Sequence, residues 1–147
     1  MKFHVQAHVT YKTRYHVVWI PKFRREVLVS GVKEYFEKVM DSYLSDRYPD
    51  VLVLERSVQV DHVHALLEIP PKYSVSKIVG DVKANTSRIM RKQFPYLRHT
   101  PEMWSIGYFV STVGANEQIV KRYIQNQEQQ DKGRSEIVLE DDTTGAA

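Results

Sequence analysis

Two strand-like runs set back to back constrain this chain more than any other feature. VLVLERSVQV (51–60) and HVHALLEI (62–69) lie between Pro49 and the Pro70-Pro71 pair, with a turn or bulge expected near Gln59–Asp61. Proline supplies no backbone donor, so it delimits each run. On either side the period changes from two to 3.6. Val32, Tyr35, Phe36, Val39, Met40, Tyr43 and Leu44 follow the i, i+3, i+4 rule and predict a helix that stops by Pro49. Ser74 can cap a second helix, whose stripe of Val75, Ile78, Val79, Val82, Ile89 and Met90 runs until Pro95. RYHVVWI (14–20), ended by Pro21, reads as a strand before the first helix, and WSIGYFVSTV (104–113) as one after the second. Gly114 then turns the chain, and Asn116 can cap a last helix to about Gln130. The order βαββαβ plus a helix predicts an α+β, ferredoxin-like (RRM-like) antiparallel sheet with helices on one face and an additional C-terminal helix.

The chain's 147 residues suit one domain, expected over 1–130, with residues 131–147 as an acidic tail that frays. That tail holds five acids against two bases, so residues 1–130 carry a net charge of +6 although the whole chain carries +3. A basic body points toward a polyanion such as nucleic acid, or is simply a basic surface. With no cysteine, disulfides and thiolate metal sites are excluded. No run has the length of a membrane span and the start has no signal-peptide core, so a cytoplasmic protein without membrane association is expected.

The second of the paired runs carries a conflict. Val58, Val60 and Leu66 lie on one face of a two-residue repeat and Val63, Ala65, Leu67 and Ile69 on the other, which predicts a strand covered on both sides. Yet His62 and His64 sit two apart on the first of those faces. Imidazoles placed so can hold a metal ion between them. They can equally be buried histidines bonded to backbone or to acids such as Asp61 and Glu68.

The last helix adds a second conflict. At ~100° per residue, Ile119, Val120 and Ile124 make an apolar arc that also contains Tyr123 and Gln127, while Lys121, Arg122 and Gln125 fall outside it. A tyrosine there is ordinary core with its hydroxyl at a rim. Burying an amide without a partner costs on the order of 1–3 kcal/mol, so Gln127 needs an explanation. Tyr123 and Gln127 are i, i+4 and project side by side. One solution is a metal with ligands His62, His64 and Gln127. Those donors are neutral and include no thiolate, which suits Mg²⁺ or Mn²⁺ and leaves charge for a phosphate, with Tyr123 alongside as nucleophile. None of the six glycines forms a phosphate-binding GxxxxGK loop.

D-H-V-H before an apolar run, with Y-I-x-x-Q on a C-terminal helix, resembles the single-tyrosine HUH transposases of the insertion-sequence-200-like (IS200/IS605) family. VVWIPKFRREVL (17–28) is similar to the family's first strand and basic turn, KANTSR (83–88) to its second helix and WSIGYFVSTVG (104–114) to its last strand. The likeness spans roughly residues 13–130. It implies that His62, His64 and Gln127 hold Mg²⁺ or Mn²⁺ and that Tyr123 attacks single-stranded DNA, forming a 5′-phosphotyrosine link and releasing a 3′-hydroxyl. It also implies a homodimer with composite active sites, the tyrosine helix of one subunit meeting the HUH strand of the other, and recognition of a DNA hairpin.

Arg14, Lys22, Arg24 and Arg25 are expected to cluster at the first strand's end, and Lys83, Arg88, Arg91 and Lys92 along the second helix. Arg14, Lys22, Arg24, Arg25, Lys83 and Arg88 are candidate phosphate contacts. Trp19 is expected in the core, not stacked on bases. Three rival readings stay open. One is a domesticated or relaxase-like nicking enzyme of the same chemistry, another a metal-free RRM-like nucleic-acid-binding module, and the third a phosphodiesterase without a covalent step.

Overall fold

The computed structural model describes residues 4–6, 9–11, 13–112 and 116–133. Strands β1 (His4–Gln6) and β2 (Val9–Tyr11) form an antiparallel hairpin of their own, in a stretch where the sequence suggested no element. The main sheet contains β3 (Arg14–Trp19), β4 (Leu52–Gln59), β5 (His62–Glu68) and β6 (Phe109–Ser111). Its order is β4-β5-β3-β6, antiparallel throughout. With helices α1 (Val32–Arg47) and α2 (Val75–Gln93) in the crossovers, this is the expected βαββαβ arrangement. The additional helix, α3, runs from Glu117 to Asp131.

Both expected caps form. The Ser74 hydroxyl accepts from the Lys77 N–H at 3.1 Å, and the Asn116 side chain accepts from the Ile119 N–H at 2.9 Å. Each satisfies a backbone donor that the first helical turn leaves without a partner.

The sheet's two faces have different fates. Val17, Trp19, Val63, Ala65 and Leu67 point into the main core with Phe36, Met40 and Leu44 of α1 and Ile78, Val79, Val82 and Met90 of α2. Trp19 is fully buried there, edge-on to Trp104 at 5.9 Å. On the opposite face Val18 and Ile20 meet Val120 and Ile124 of α3 at one end, and Glu68 is buried at the other.

Three expectations need correction. β5 is only partly covered on its histidine face, where His62, His64 and Leu66 are half-buried and Glu68 is buried, while Val63, Ala65 and Leu67 on the other face are buried. Val58 does not share the histidines' face. The two-residue turn Val60–Asp61 resets the register, so Val58 pairs with Val63 and is buried, whereas Val60 is exposed. The last strand is only three residues long, and Val113, at the end of the expected run, lies outside the described residues.

The reason for the short strand lies in residues 104–108. Trp104 makes an isolated bridge to Pro21, and Gly107 then takes φ +93°, a left-handed turn where glycine is the default residue. The carbonyls that a longer strand would have paired are taken by side chains. Lys83 Nζ donates to Ser105 O (2.8 Å) and Gly107 O (2.5 Å), and Gln127 Nε2 donates to Ile106 O (2.8 Å).

Candidate metal and tyrosine site

Directly paired residues in an antiparallel sheet share a face. Val18 pairs with His64 and with Phe109, and His64 pairs with Ser57. The row Phe109–Val18–His64–Ser57 therefore crosses all four strands on one face, and α3 rests on its Val18 end. The adjacent row, Ser111–His16–Leu66–Glu55, brings a third histidine onto the same face. His16 Nδ1 lies 3.3 Å from His64 Nε2, beside a cavity of about 80 Å³ lined by His16, Glu55, Arg56, Ser57, His64 and Leu66. Sequence reading missed His16. The available signal was a polar residue at i−2 from Val18 in RYHVVWI, on the face that also carries His64.

His62 is oriented by a chain of polar contacts. Its Nδ1 lies 3.0 Å from Asp61 Oδ1, Asp61 Oδ2 accepts from Arg24 Nε at 2.8 Å, and Arg24 Nη1 donates to Glu128 Oε1 at 3.2 Å. Asp61 thus joins the histidine strand to α3 through one arginine. Its carboxyl is held below the usual range by its bonds to His62 and Arg24, which outweigh the burial that alone would raise it. Arg24 and the preceding Phe23 both adopt left-handed backbone (φ +53° and +60°), and the Phe23 N–H donates to Asp131 Oδ2 at 2.9 Å. The basic turn is thereby locked against the end of α3.

The residues of α3 behave unlike a simple apolar arc. Val120, Ile124 and Gln127 are buried, Tyr123 is half-buried, and Ile119 is exposed, so the contact stripe is narrower than expected. The Gln127 amide nitrogen donates to Ser105 Oγ (2.7 Å) and to Ile106 O. Both its hydrogens are thus used within the fold, and its oxygen is the atom left to act as a ligand. Ser105 Oγ in turn donates to Asp131 Oδ1 at 2.7 Å.

Tyr123 projects beside Gln127 without bonding to it. Its ring lies 5.9 Å from that of Phe109, and its buried hydroxyl has no hydrogen-bond partner among the described residues. Burial, reinforced by the negative charge of Asp131, pushes the phenol far above its ordinary pKa, so in this arrangement it stays protonated.

A divalent ion fits the donor chemistry of this face. Burial, then the neighbouring His16 and His62, depresses the His64 pKa, which keeps the ring neutral as a ligand must be. A carboxylate on one nitrogen of His62 is the usual way a metal-binding imidazole is aimed, leaving Nε2 for the ion. Among the described residues, however, no three histidine or carboxylate side chains already converge on one point.

The basic residues are widely committed, and they do not form the single cluster expected. Arg14 opens β3 and pairs with Glu68 at 2.8 Å, a strand's length (roughly 20 Å) from the turn that carries Lys22, Arg24 and Arg25. Lys22 lies 3.6 Å from Glu102 and 3.5 Å from Asp131. Lys83, bonded to two carbonyls, is pushed down to about 8 by burial, against the opposing pull of Glu102 and Asp131. Arg25 is half-buried, and Arg88 is exposed and donates to Asn85 at 3.3 Å.

Comparison with known proteins gives a consistent result. The sequence model of the family described as "Transposase IS200 like" matches residues 9–127. The transposase for insertion sequence element IS200 of Salmonella typhimurium is 35% identical over 129 residues, covering 86% of this chain and 84% of that protein. The ISDra2 transposase TnpA of Deinococcus radiodurans is 28% identical over 121 residues, covering 80% and 85%. A crystal structure of a candidate transposase from Deinococcus radiodurans matches with a TM-score of 0.76 at 27% identity, across 84% of this chain and 97% of that one.

Proposed function

The chain belongs to the family of IS200-like transposases, and from that premise we propose that it cleaves and rejoins single-stranded DNA at insertion-sequence ends through a 5′-phosphotyrosine intermediate. The observation that carries this reading is the placing of Tyr123 and Gln127 together on α3 and of His62 and His64 together on one sheet face. A phenol and a pair of imidazoles that can hold an ion are the parts that a covalent phosphoryl transfer needs.

In this reading His62 and His64, with the amide oxygen of Gln127, hold Mg²⁺ or Mn²⁺. Such an ion would supply positive charge to the phosphoryl oxygens and help orient the scissile phosphate. Asp61 keeps His62 aimed. Tyr123 gives up its phenol proton to solvent and its oxygen bonds to phosphorus as the bond to the 3′ oxygen breaks, and that oxygen takes a proton from solvent and leaves as a 3′-hydroxyl. The new ester conserves the phosphodiester's energy, so the 3′-hydroxyl of another strand can reverse the step without ATP. Its protonated, partnerless hydroxyl means that Tyr123 has to leave its present surroundings to react. Presentation of α3 to the histidine strand of a partner subunit, in a homodimer with composite sites, would supply that change. A subterminal DNA hairpin is the expected recognition element and the cytoplasm the expected place of action. Arg25 and Arg88 are the candidate phosphate contacts least occupied by partners within the fold.

The test mixes the full chain with Mn²⁺ or Mg²⁺ and single-stranded oligonucleotides from both flanks of its gene, followed by a denaturing gel. A metal-dependent covalent band on the 5′ end of the released fragment, absent in Tyr123→Phe, is the expected result. Metal-dependent cleavage that persists in that variant without a band would replace the covalent step by a phosphodiesterase reaction. Hairpin binding with neither cleavage nor band would leave an RRM-like binding module. The same gel would read alike for a domesticated copy, which is separated by the absence of hairpin-bearing element ends beside the gene.

A further inference from the structure

Every polar atom of Ser105 is committed within the fold, and the commitments leave its hydroxyl one direction. The residue is 1% exposed. Its N–H donates to Ile20 O at 2.9 Å, and its carbonyl accepts from Lys83 Nζ. Its hydroxyl donates to Asp131 Oδ1 and accepts from Gln127 Nε2, both at 2.7 Å. A hydroxyl has one proton, and a carboxylate only accepts. Asp131 therefore claims the proton, and Ser105 Oγ can offer Gln127 nothing but a lone pair. Asp131 is itself held, by the Phe23 N–H at 2.9 Å and by Lys22 Nζ at 3.5 Å.

The second partner of the amide acts the same way. Ile106 O, 2.8 Å from Gln127 Nε2, is also an acceptor only. Lys83 bonds the carbonyls on either side of it, Ser105 O and Gly107 O, and so fixes the segment that presents it. Turning the buried Gln127 amide over would set its oxygen against two acceptors and strand both, which low-dielectric surroundings make costly.

We propose that Ser105 is the positioning residue of Gln127. Its hydroxyl, polarised by Asp131, fixes the amide with nitrogen toward the 105–107 segment and leaves oxygen as the atom that meets the ion. The inference rests on the reading that Gln127 is a metal ligand, and it adds what decides which end of the amide is presented. Ser105 acts only through Gln127, so its effect on metal binding disappears when that side chain is gone.

The experiment is titration of the DNA-free full chain with Mn²⁺, following the free-ion electron paramagnetic resonance signal, for wild type, Ser105→Ala, Gln127→Ala and the double variant. Ser105→Ala should weaken Mn²⁺ binding by about tenfold or more in the wild-type background. In the Gln127→Ala background the same change should alter it by less than about twofold. An equal factor in both backgrounds would mark Ser105 as merely structural and overturn the proposal, as would wild-type affinity in Ser105→Ala while Gln127→Ala is weakened. If Gln127→Ala itself binds Mn²⁺ as wild type does, the reading of Gln127 as a ligand fails and takes this inference with it. A second measurement needs no variant to fold. By nuclear magnetic resonance of the metal-free wild type, both side-chain amide protons of Gln127 should exchange with solvent at least about tenfold more slowly than those of the exposed Gln125. Equal exchange rates would overturn the proposal.

Discussion

Tyr123 carries a cost at the position where the chemistry is proposed. Its hydroxyl is buried without a partner among the described residues, and an unsatisfied buried polar group costs about 1–3 kcal/mol. Tyr123→Phe should therefore be more stable than wild type by about 1 kcal/mol, a rise in Tm of several degrees in a thermal melt. A lower Tm would mean that the hydroxyl finds a partner in solution. Lys83 is the opposite kind of residue, a half-buried cation that satisfies two carbonyls. Burial lowers its pKa from 10.5 to about 8, so between those values the unfolded chain binds more protons than the folded one. Its contribution to stability then rises with pH across that window. The difference in melting temperature between wild type and Lys83→Met should accordingly grow as pH increases from 8 toward 10. Allowing for solvent screening, that trend amounts to on the order of 1 kcal/mol.

At the scale of elements, the decisive joint is between the basic turn and α3. Arg24 holds Asp61 beside His62 with one nitrogen and Glu128 of α3 with another, while Asp131 takes the Phe23 N–H. The apolar part of the joint is small, Val120 and Ile124 on Val18 and Ile20 with Phe109 and Tyr123 packed beside them. A helix seated on so little apolar area depends on its polar clasp. Arg24→Ala should lower amide-exchange protection in the last turns of α3, through loss of roughly 1 kcal/mol of partly exposed pairing, while α1 and α2 keep theirs. Unchanged protection in α3 would show that Arg24 does not anchor the helix and would return it to the list of phosphate contacts.

Charge acts over the whole molecule. Residues 134–147 hold four acids and one base, so a chain ending at Gly133 has a net charge of +6 in place of +3 and still keeps Asp131 in its contacts with Lys22 and Ser105. That truncation should strengthen binding to unrelated single-stranded oligonucleotides at low salt and steepen the decline of affinity with salt. Identical salt titrations for the two chains would show that the acidic tail does not compete for the polyanion surface. No helix among the described residues is long and apolar enough to cross a membrane.

Local regularities were enough to predict the βαββαβ order, the caps at Ser74 and Asn116, the burial of Trp19 and the shared face of His62 and His64. Each depends on a period, a proline stop or a capping side chain within a few residues of chain. Family resemblance added roles for Tyr123 and Gln127 that periodicity could not assign. Everything that depended on pairing between distant segments was left to the tertiary structure. The turn at Val60–Asp61 moved Val58 into the core, because a shift of one residue reverses a strand's faces. Lys83 and Gln127 delayed the start of the last strand by taking carbonyls that a ladder would have used. Arg14 and Arg24 proved to lie at opposite ends of β3. His16 came within 3.3 Å of His64 because the β3–β5 register, invisible in either segment alone, sets those two rings diagonally across from each other.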